Sequence, residues 1–235
     1  MTKNAVITGA TKGIGYAILS RLAKEGYNIG FCSRSATDVD DLAQQLSKDY
    51  PGQKFVGLPC DISIKENVEK FASEMLDQIS NVDVLINNGG VFLPGEISIE
   101  EVGNLEMMIN TNLYSAYYLT RALLPTMKST QKGHVINMCS IASQIAYPNG
   151  GSYSISKFAL LGFSKVLREE MKPHNIKVTS ILPGATWSDS WKGVDLPESR
   201  LMQADDIAKL VMCALSMSDS ATIEDIVIRP QLGDL

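Results

Sequence analysis

The chain lacks any apolar run long enough to cross a membrane. Nor does it open like a leader, since Lys3 is followed at once by Ala5-Val6-Ile7-Thr8 and then glycines, so the cytoplasm is the expected location. Positive charge is not in excess: 21 Lys and Arg against 26 Asp and Glu give a formal charge of -5, whereas a nucleic-acid backbone or an anionic membrane demands clustered cations. Neither partner is expected. Cysteine is scarce, and Cys32, Cys60, Cys139 and Cys213 form no C-x-x-C pair, which argues against a disulfide framework and a thiolate metal site and predicts mostly buried thiols. Only two histidines occur, His134 and His174, neither at a ligand spacing with Cys, Asp or Glu, so no metal is expected. What remains is a small-molecule partner.

At 235 residues and 45% apolar composition, residues 1–235 read as one domain with one substantial core. Short β-branched runs alternate with amphipathic stretches, the pattern of βαβ units on a parallel sheet with helices on both faces. Seven runs qualify as strands: Asn4 to Thr8, Asn28 to Cys32, Phe55 to Cys60, Val82 to Asn87, His134 to Met138, Lys177 to Leu182 and Ile226 to Ile228. Ile14, Ala17, Ile18 and Leu22 keep helical spacing, as do stripes through Val68 to Ile79, Leu105 to Leu124, Phe158 to Met171 and Ile207 to Leu215. The acidic cluster Asp38, Asp40 and Asp41 suits the start of the helix after the second strand. Residues 185–203, with Trp187 and Trp191, show no periodicity and are expected to form a substrate lid.

Directly after the first strand comes Thr8-Gly9-Ala10-Thr11-Lys12-Gly13-Ile14-Gly15, then a helix. Glycines allow a tight turn and close backbone approach to a pyrophosphate, and the helix start offers free N–H groups, so the turn is expected to cradle a phosphate in a doubly wound Rossmann fold rather than to be an empty βα turn. A Walker A loop needs Lys after its last glycine, and Ile14 after Gly13 disfavours nucleoside-triphosphate hydrolysis. The second strand ends Cys32-Ser33-Arg34, with no acid to bind a ribose 2′-hydroxyl, and Arg34 with Lys12 suits a 2′-phosphate instead. NADP(H) is therefore expected over NAD(H).

Tyr153 and Lys157, four apart on a predicted helix, share a face, and an adjacent ammonium is expected to lower the tyrosine pKa. Ser140 is placed at the end of a buried strand, where its hydroxyl can hold a substrate oxygen. Cys139 beside it is expected on the opposite face as a buried bystander.

Together these residues make the chain resemble the short-chain dehydrogenase/reductase family: T-G-x-x-x-G-x-G at Thr8 to Gly15, N-N-x-G at Asn87 to Gly90, then Asn112, Ser140, Tyr153, Lys157 and Pro183-Gly184. The resemblance runs through nearly the whole chain in order and spacing. It implies a seven-stranded parallel sheet, with Tyr153 as general acid in reduction, Ser140 polarising the carbonyl, and Lys157 binding the nicotinamide ribose. By the same resemblance Asn112 holds a relay water, and Gly9, Thr11, Lys12, Gly13, Ile14, Gly15, Ser33, Arg34, Asp61 and Ile62 contact the cofactor. Asn88, Gly89, Gly90, Pro183, Gly184, Thr186 and Ser188 line its nicotinamide side. Gly89 stands where the family commonly has alanine, and Ser188 where it commonly has threonine.

The implied activity is hydride transfer between nicotinamide and the carbonyl or alcohol carbon of a small, largely uncharged ketone or 3-oxo/3-hydroxy compound. The runner-up is a 3-oxoacyl-acyl-carrier-protein reductase. That group is expected to present arginines near the active-site entrance, whereas this chain has Gln131 and His174 there, with Lys128, Lys132 and Lys172 as less specific substitutes. The ending Ile226-Val227-Ile228-Arg229-Pro230-Gln231 also looks more like small-ketone and 3-hydroxy-acid reductases. An epimerase or dehydratase would need a longer substrate domain. A third class, a non-catalytic NADP(H)-binding redox sensor, shares the fold, and the intact set of Asn112, Ser140, Tyr153 and Lys157 speaks against it. By analogy the chain is expected to be a homo-oligomer, dimer or tetramer, through the helices that carry Asn112 and Tyr153.

Overall fold

The computed structural model describes residues 2–187 and 196–234. All seven expected strands form: β1 (Asn4–Thr8), β2 (Asn28–Ser33), β3 (Phe55–Pro59), β4 (Val84–Asn87), β5 (Gly133–Met138), β6 (Ile176–Pro183) and β7 (Asp225–Ile228). They make one parallel sheet in the order β3-β2-β1-β4-β5-β6-β7. The chain steps outward from β1 to β3, then returns to β4 on the other side of β1. Ligand crevices of such sheets open at that reversal, outside the carboxyl ends of the strands.

Side chains alternate across each strand, so β1 sends Ala5 and Ile7 to one face and Val6 to the other. On the first face they meet Ile18 and Leu22 of α1 (Gly13–Lys24), Val39 of α2 (Ala36–Asp49) and Val211 of α7 (Ala204–Leu215). Val6, Leu85 and Val178 pack on the second face against Phe71 and Met75 of α3 (Lys65–Gln78). There they are joined by Leu123 of α5 (Ser115–Thr130) and Leu167 of α6 (Gly151–Met171). Fully burying one such aliphatic side chain contributes roughly 1.5–3 kcal/mol, so both faces help fix the strand register. Ser35 caps α2 by accepting the Asp38 N–H at 3.2 Å, which sets Asp38 in the first turn as the acidic cluster implied.

The stripe from Leu105 to Leu124 is not one regular helix. It breaks into α4 (Asn104–Ile109), a wide π turn over Asn110–Tyr114, and α5. π turns recur at functional sites, and this one carries Asn112, which is only 1% exposed. Of the cysteines, Cys32, Cys60 and Cys139 are buried while Cys213 is exposed. His134 is buried in β5, its Nε2 2.8 Å from Thr179 Oγ1, and burial with the nearby Lys177 charge lowers its pKa to about 4. No helix among the described residues is long and apolar enough to cross a membrane.

Candidate active site

The turn after β1 is shaped by contacts that exclude side chains. Gly9 and Gly13 have φ of +66° and +55°, a region L-residues rarely occupy. A Cβ on Gly15 would lie 2.1 Å from Gly9 O and 2.6 Å from Asn88 Nδ2. Asn88 in turn donates from Nδ2 to the carbonyls of Thr8 and Gly9, each at 3.0 Å. Thr8 Oγ1 accepts the N–H groups of Asn88 (3.1 Å) and Gly89 (2.9 Å). The ends of β1 and β4 are thereby laced together. No side chain caps α1, leaving its first-turn N–H groups for an anion.

Beside this cradle, Ser33 Oγ is buried with no hydrogen-bond partner among the described residues. Arg34 is exposed next to it, and Lys12 Nζ stands 3.5 Å from Asp38 Oδ2. Lys12 thus shares its charge with the start of α2. The Asp61 carboxylate accepts from Ser63 Oγ (2.7 Å) and Ser63 N (3.0 Å), and these bonds, helped by the Arg34 charge, hold it below the usual carboxylate range. A Cβ on Gly89 would meet Ile62 Cδ1 at 2.4 Å, so Ile62 occupies the space an alanine methyl would take.

Ser140 lies two residues beyond the end of β5 rather than within the strand. It caps a short 3-10 turn, Ile141–Ser143, its Oγ accepting the Ala142 N–H at 3.1 Å. Tyr153 is the third residue of α6, and Lys157 follows one turn later. The Lys157 Nζ donates to Met138 O at 2.9 Å and lies 5.8 Å from the centre of the Tyr153 ring. Burial lowers the Lys157 pKa to about 8. It raises that of Tyr153, against a lowering hydrogen bond from Ser140. The expected fall in the tyrosine pKa is therefore corrected: the loss of water on burial outweighs the lowering effect of the Ser140 hydrogen bond.

Asn112 braces the site. Its Oδ1 accepts the Val91 N–H (2.8 Å), while Nδ2 donates to Val91 O (3.0 Å) and to Ser156 Oγ (2.9 Å). Both amide donors are thus used within the protein. Beneath lies a buried chain in which Asn87 Nδ2 donates to Thr120 Oγ1 and Asn137 Oδ1, and Asn137 Nδ2 donates to Ser164 Oγ.

Ser140, Tyr153 and Lys157 open on one cavity of about 560 Å³, shared with Ile14, Asn88 and Gly90 on one side and Pro183, Gly184 and Thr186 on the other. Residues 3–198 match the profile of the short chain dehydrogenase family. The chain belongs to that family. Its sequence is 31% identical to an uncharacterised oxidoreductase of Staphylococcus aureus over 97% of each chain. It is 29% identical to a sepiapterin reductase of Chlorobaculum tepidum, over 98% of this chain and 97% of the other. In three dimensions it resembles an alcohol dehydrogenase of the archaeon Thermococcus sibiricus crystallised with 5-hydroxy-NADP. That match has a TM-score of 0.91 at 28% identity, over 100% of this chain and 99% of that one. A metagenomic short-chain oxidoreductase in complex with NADP matches with a TM-score of 0.83 at 28% identity, over 97% of each chain.

This family member also lines its cavity with residues that no motif singled out: Phe92, Ile145, Tyr147, Arg229 and Asp234. The Phe92 ring meets Tyr153 edge-on, 4.8 Å between centroids at 73°. The segment 185–203 is anchored where it leaves and rejoins the fold, Trp187 N donating to Met202 O (2.8 Å) and Met202 N to Ala185 O (3.1 Å). Ser188 and Trp191 lie outside the described residues. Cys139 packs on Leu160 and Leu182 and also borders the cavity, with burial raising its pKa to about 11. Gln131, Lys132 and His174 are not near the entrance within this chain. They flank the starts of β5 and β6, a strand length of roughly 17–20 Å from the carboxyl edge.

Proposed function

We propose that the chain is an NADP(H)-dependent carbonyl reductase acting on small, largely uncharged ketones or 3-oxo compounds. One observation carries this reading: Ser140, Tyr153 and Lys157 converge on a single cavity that also reaches the glycine cradle. The residues fit the cofactor. The glycine turn leaves no room for side chains, the start of α1 is uncapped, and the orphaned Ser33 hydroxyl lies beside Arg34 where a 2′-phosphate would sit. NADP and 5-hydroxy-NADP in the similar crystal structures support the same choice. When bound, the cofactor supplies the hydride.

Gly9, Thr11, Lys12, Gly13, Ile14 and Gly15 hold its diphosphate, Ser33 and Arg34 its 2′-phosphate, and Asp61 with Ile62 its adenine. Asn88, Gly89, Gly90, Pro183, Gly184, Thr186 and Ser188 take the nicotinamide side. Ser140 donates a hydrogen bond to the substrate carbonyl oxygen, and Tyr153 gives that oxygen a proton. The raised Tyr153 pKa suits the acid, because the phenol stays protonated through neutral pH. Lys157, with a pKa near 8, takes the ribose and passes a proton toward Tyr153, and Asn112 fixes the wall around them. The segment 185–203 covers the substrate. A homo-oligomer through the helical stretches that carry Asn112 and Tyr153 is supported by exposed Tyr114 of the π turn and Phe158 and Val166 of α6.

Carrier-bound substrates are the weaker reading, since Lys132 and His174 lie at the far edge of the sheet in this chain. The test is initial-rate oxidation of NADPH across a library of diketones, 3-oxo esters and 3-oxoacyl-carrier proteins. Turnover of small carbonyls is the expected result. NADPH binding without turnover of any carbonyl overturns it in favour of a sensor.

A further inference from the structure

At the wall of the cavity, the segment after β7 turns back on itself, Gly233 N donating to Pro230 O at 2.9 Å. Arg200 holds it there, Nη1 donating to Gly233 O at 2.9 Å and Nη2 to Asp234 O at 3.3 Å. The Asp234 side chain is carried over Gly184, where a Cβ would come within 2.3 Å of Oδ1, so only glycine at 184 admits the carboxylate. Arg229 reaches Oδ2 through Nε (2.7 Å) and Nη2 (2.5 Å). Both bonds fall on one oxygen. The other, Oδ1, is buried and finds no donor among the described residues. A buried carboxylate oxygen without a donor is destabilising, and a bound group that supplies one removes the penalty. Tyr147 borders the same cavity, and burial, helped by the nearby Asp234 carboxylate, pushes its pKa up to about 12.

We propose that Asp234 is a specificity-determining residue that selects carbonyl substrates bearing an amide-type N–H donor, received at Oδ1. The inference rests on the reductase reading above and names the substrate class within it. Arg229 already neutralises the carboxylate, so the fitting donor is a neutral N–H rather than an ammonium, in keeping with a largely uncharged substrate. The nicotinamide carboxamide is a second source of the same chemistry, and the experiment must separate the two.

The probes are acetoacetamide, N-methylacetoacetamide and N,N-dimethylacetoacetamide, which carry two, one and no amide N–H groups with methyl groups in their place. A preference due to N–H keeps the monomethyl compound near the first, and one due to bulk does not. A hydrogen bond to a charged acceptor contributes enough for the wild type to prefer acetoacetamide over the dimethyl compound in kcat/KM by roughly 10- to 150-fold. Asp234→Ala brings these two substrates to within about threefold of each other, and Arg200→Ala, which frees the segment but spares the carboxylate, does the same. The inference is overturned if the wild type shows no preference, or if Asp234→Ala lowers both substrates by one factor. It is equally overturned if the variant loses NADPH affinity by the factor expected for the substrate, for then the donor is the cofactor. Should no amide be reduced, the reductase reading fails separately, and calorimetric titration of acetoacetamide into the NADP+ complex decides this one. Binding present in the wild type and lost in Asp234→Ala supports it, and equal binding or none in either protein sinks it.

Discussion

The two ends of the sheet treat buried polar groups in opposite ways. At the amino ends they are bonded to one another: Asn4 donates from its N–H to Asp83 Oδ2 (2.7 Å) and from Nδ2 to Asn81 O (2.9 Å), and its Oδ1 accepts from Asn28 Nδ2 (2.9 Å). His134 meets Thr179, whose hydroxyl donates to Ile223 O at 2.6 Å. At the carboxyl ends, Ser33 Oγ and Asp234 Oδ1 are buried without partners among the described residues, and the Lys157 ammonium is buried against a single carbonyl. Gln53 is an exception at the amino end, for its Oε1 is unpaired although its Nε2 donates to Ala23 O, and Ser180 Oγ, midway along β6, is unpaired too. Buried polar groups are ordinarily bonded, so the contrast is the one expected where folding completes one edge and, as proposed above, a ligand completes the other. Substitutions at the carboxyl edge should then cost activity more than stability, and substitutions at the amino edge the reverse.

Tyr153→Phe is the sharpest test of that division. It removes the transferable proton and keeps the ring, so reduction should fall by on the order of 100- to 10,000-fold with NADPH affinity and melting temperature held. A variant keeping more than about a tenth of wild-type kcat removes Tyr153 from the chemistry.

His134 tests the amino edge. Its imidazole ordinarily titrates near 6.5 and is held at about 4 in the folded protein, chiefly by burial. As pH falls from 6.5 to 4 the unfolded chain takes up the proton first, so stability is full above 6.5 and drops across that window, by on the order of 3 kcal/mol. Urea unfolding at pH 7 and at pH 4.5 should show a smaller acid loss in His134→Gln than in the wild type. Parallel losses in the two proteins would mean that carboxylates alone carry the acid sensitivity.

The same contrast explains what could be read from the sequence. All seven strands and the cofactor turn were legible, because buried parallel strands leave continuous apolar runs and the turn needs glycine at Gly9, Gly13 and Gly15 for steric reasons local to the chain. That Tyr153 and Lys157 share a helix face was legible from their spacing, yet the direction of the tyrosine shift was not, because it depends on how completely the packed fold buries the ring. The π turn at Asn112 left no mark in the helical stripe. Arg229 and Asp234 were invisible as site residues, since only Arg200 and Gly184, distant in sequence, make room for them.

Arg34 lies on the legible side of the site. Arg34→Ala should weaken NADPH by roughly 10- to 150-fold, the worth of a charge-assisted hydrogen bond, and leave NADH little changed. Lys12 compensates only in part, because Asp38 already draws on its charge. Equal losses for the two cofactors, or equal kcat/KM for them in the wild type, would reject the 2′-phosphate assignment.

Phe92 carries the smallest expected effect and probes the side of the site that the sequence left unread. Its ring is 42% exposed and touches Tyr153 edge-on from the cavity side, at 4.8 Å between centroids. Such a pair contributes about 0.5–1.5 kcal/mol beyond the area it covers, which corresponds to roughly 2- to 12-fold in rate if the contact steadies the proton donor. Phe92→Ala should therefore lower kcat by that factor with NADPH affinity unchanged. Phe92→Leu restores most of the apolar area but not the edge-to-face geometry, so it should recover KM more fully than kcat. If Leu restores both, Phe92 is only a wall of the cavity. If Ala instead weakens NADPH binding and spares kcat, the division between the motif-built cofactor side and the loop-built substrate side is drawn in the wrong place.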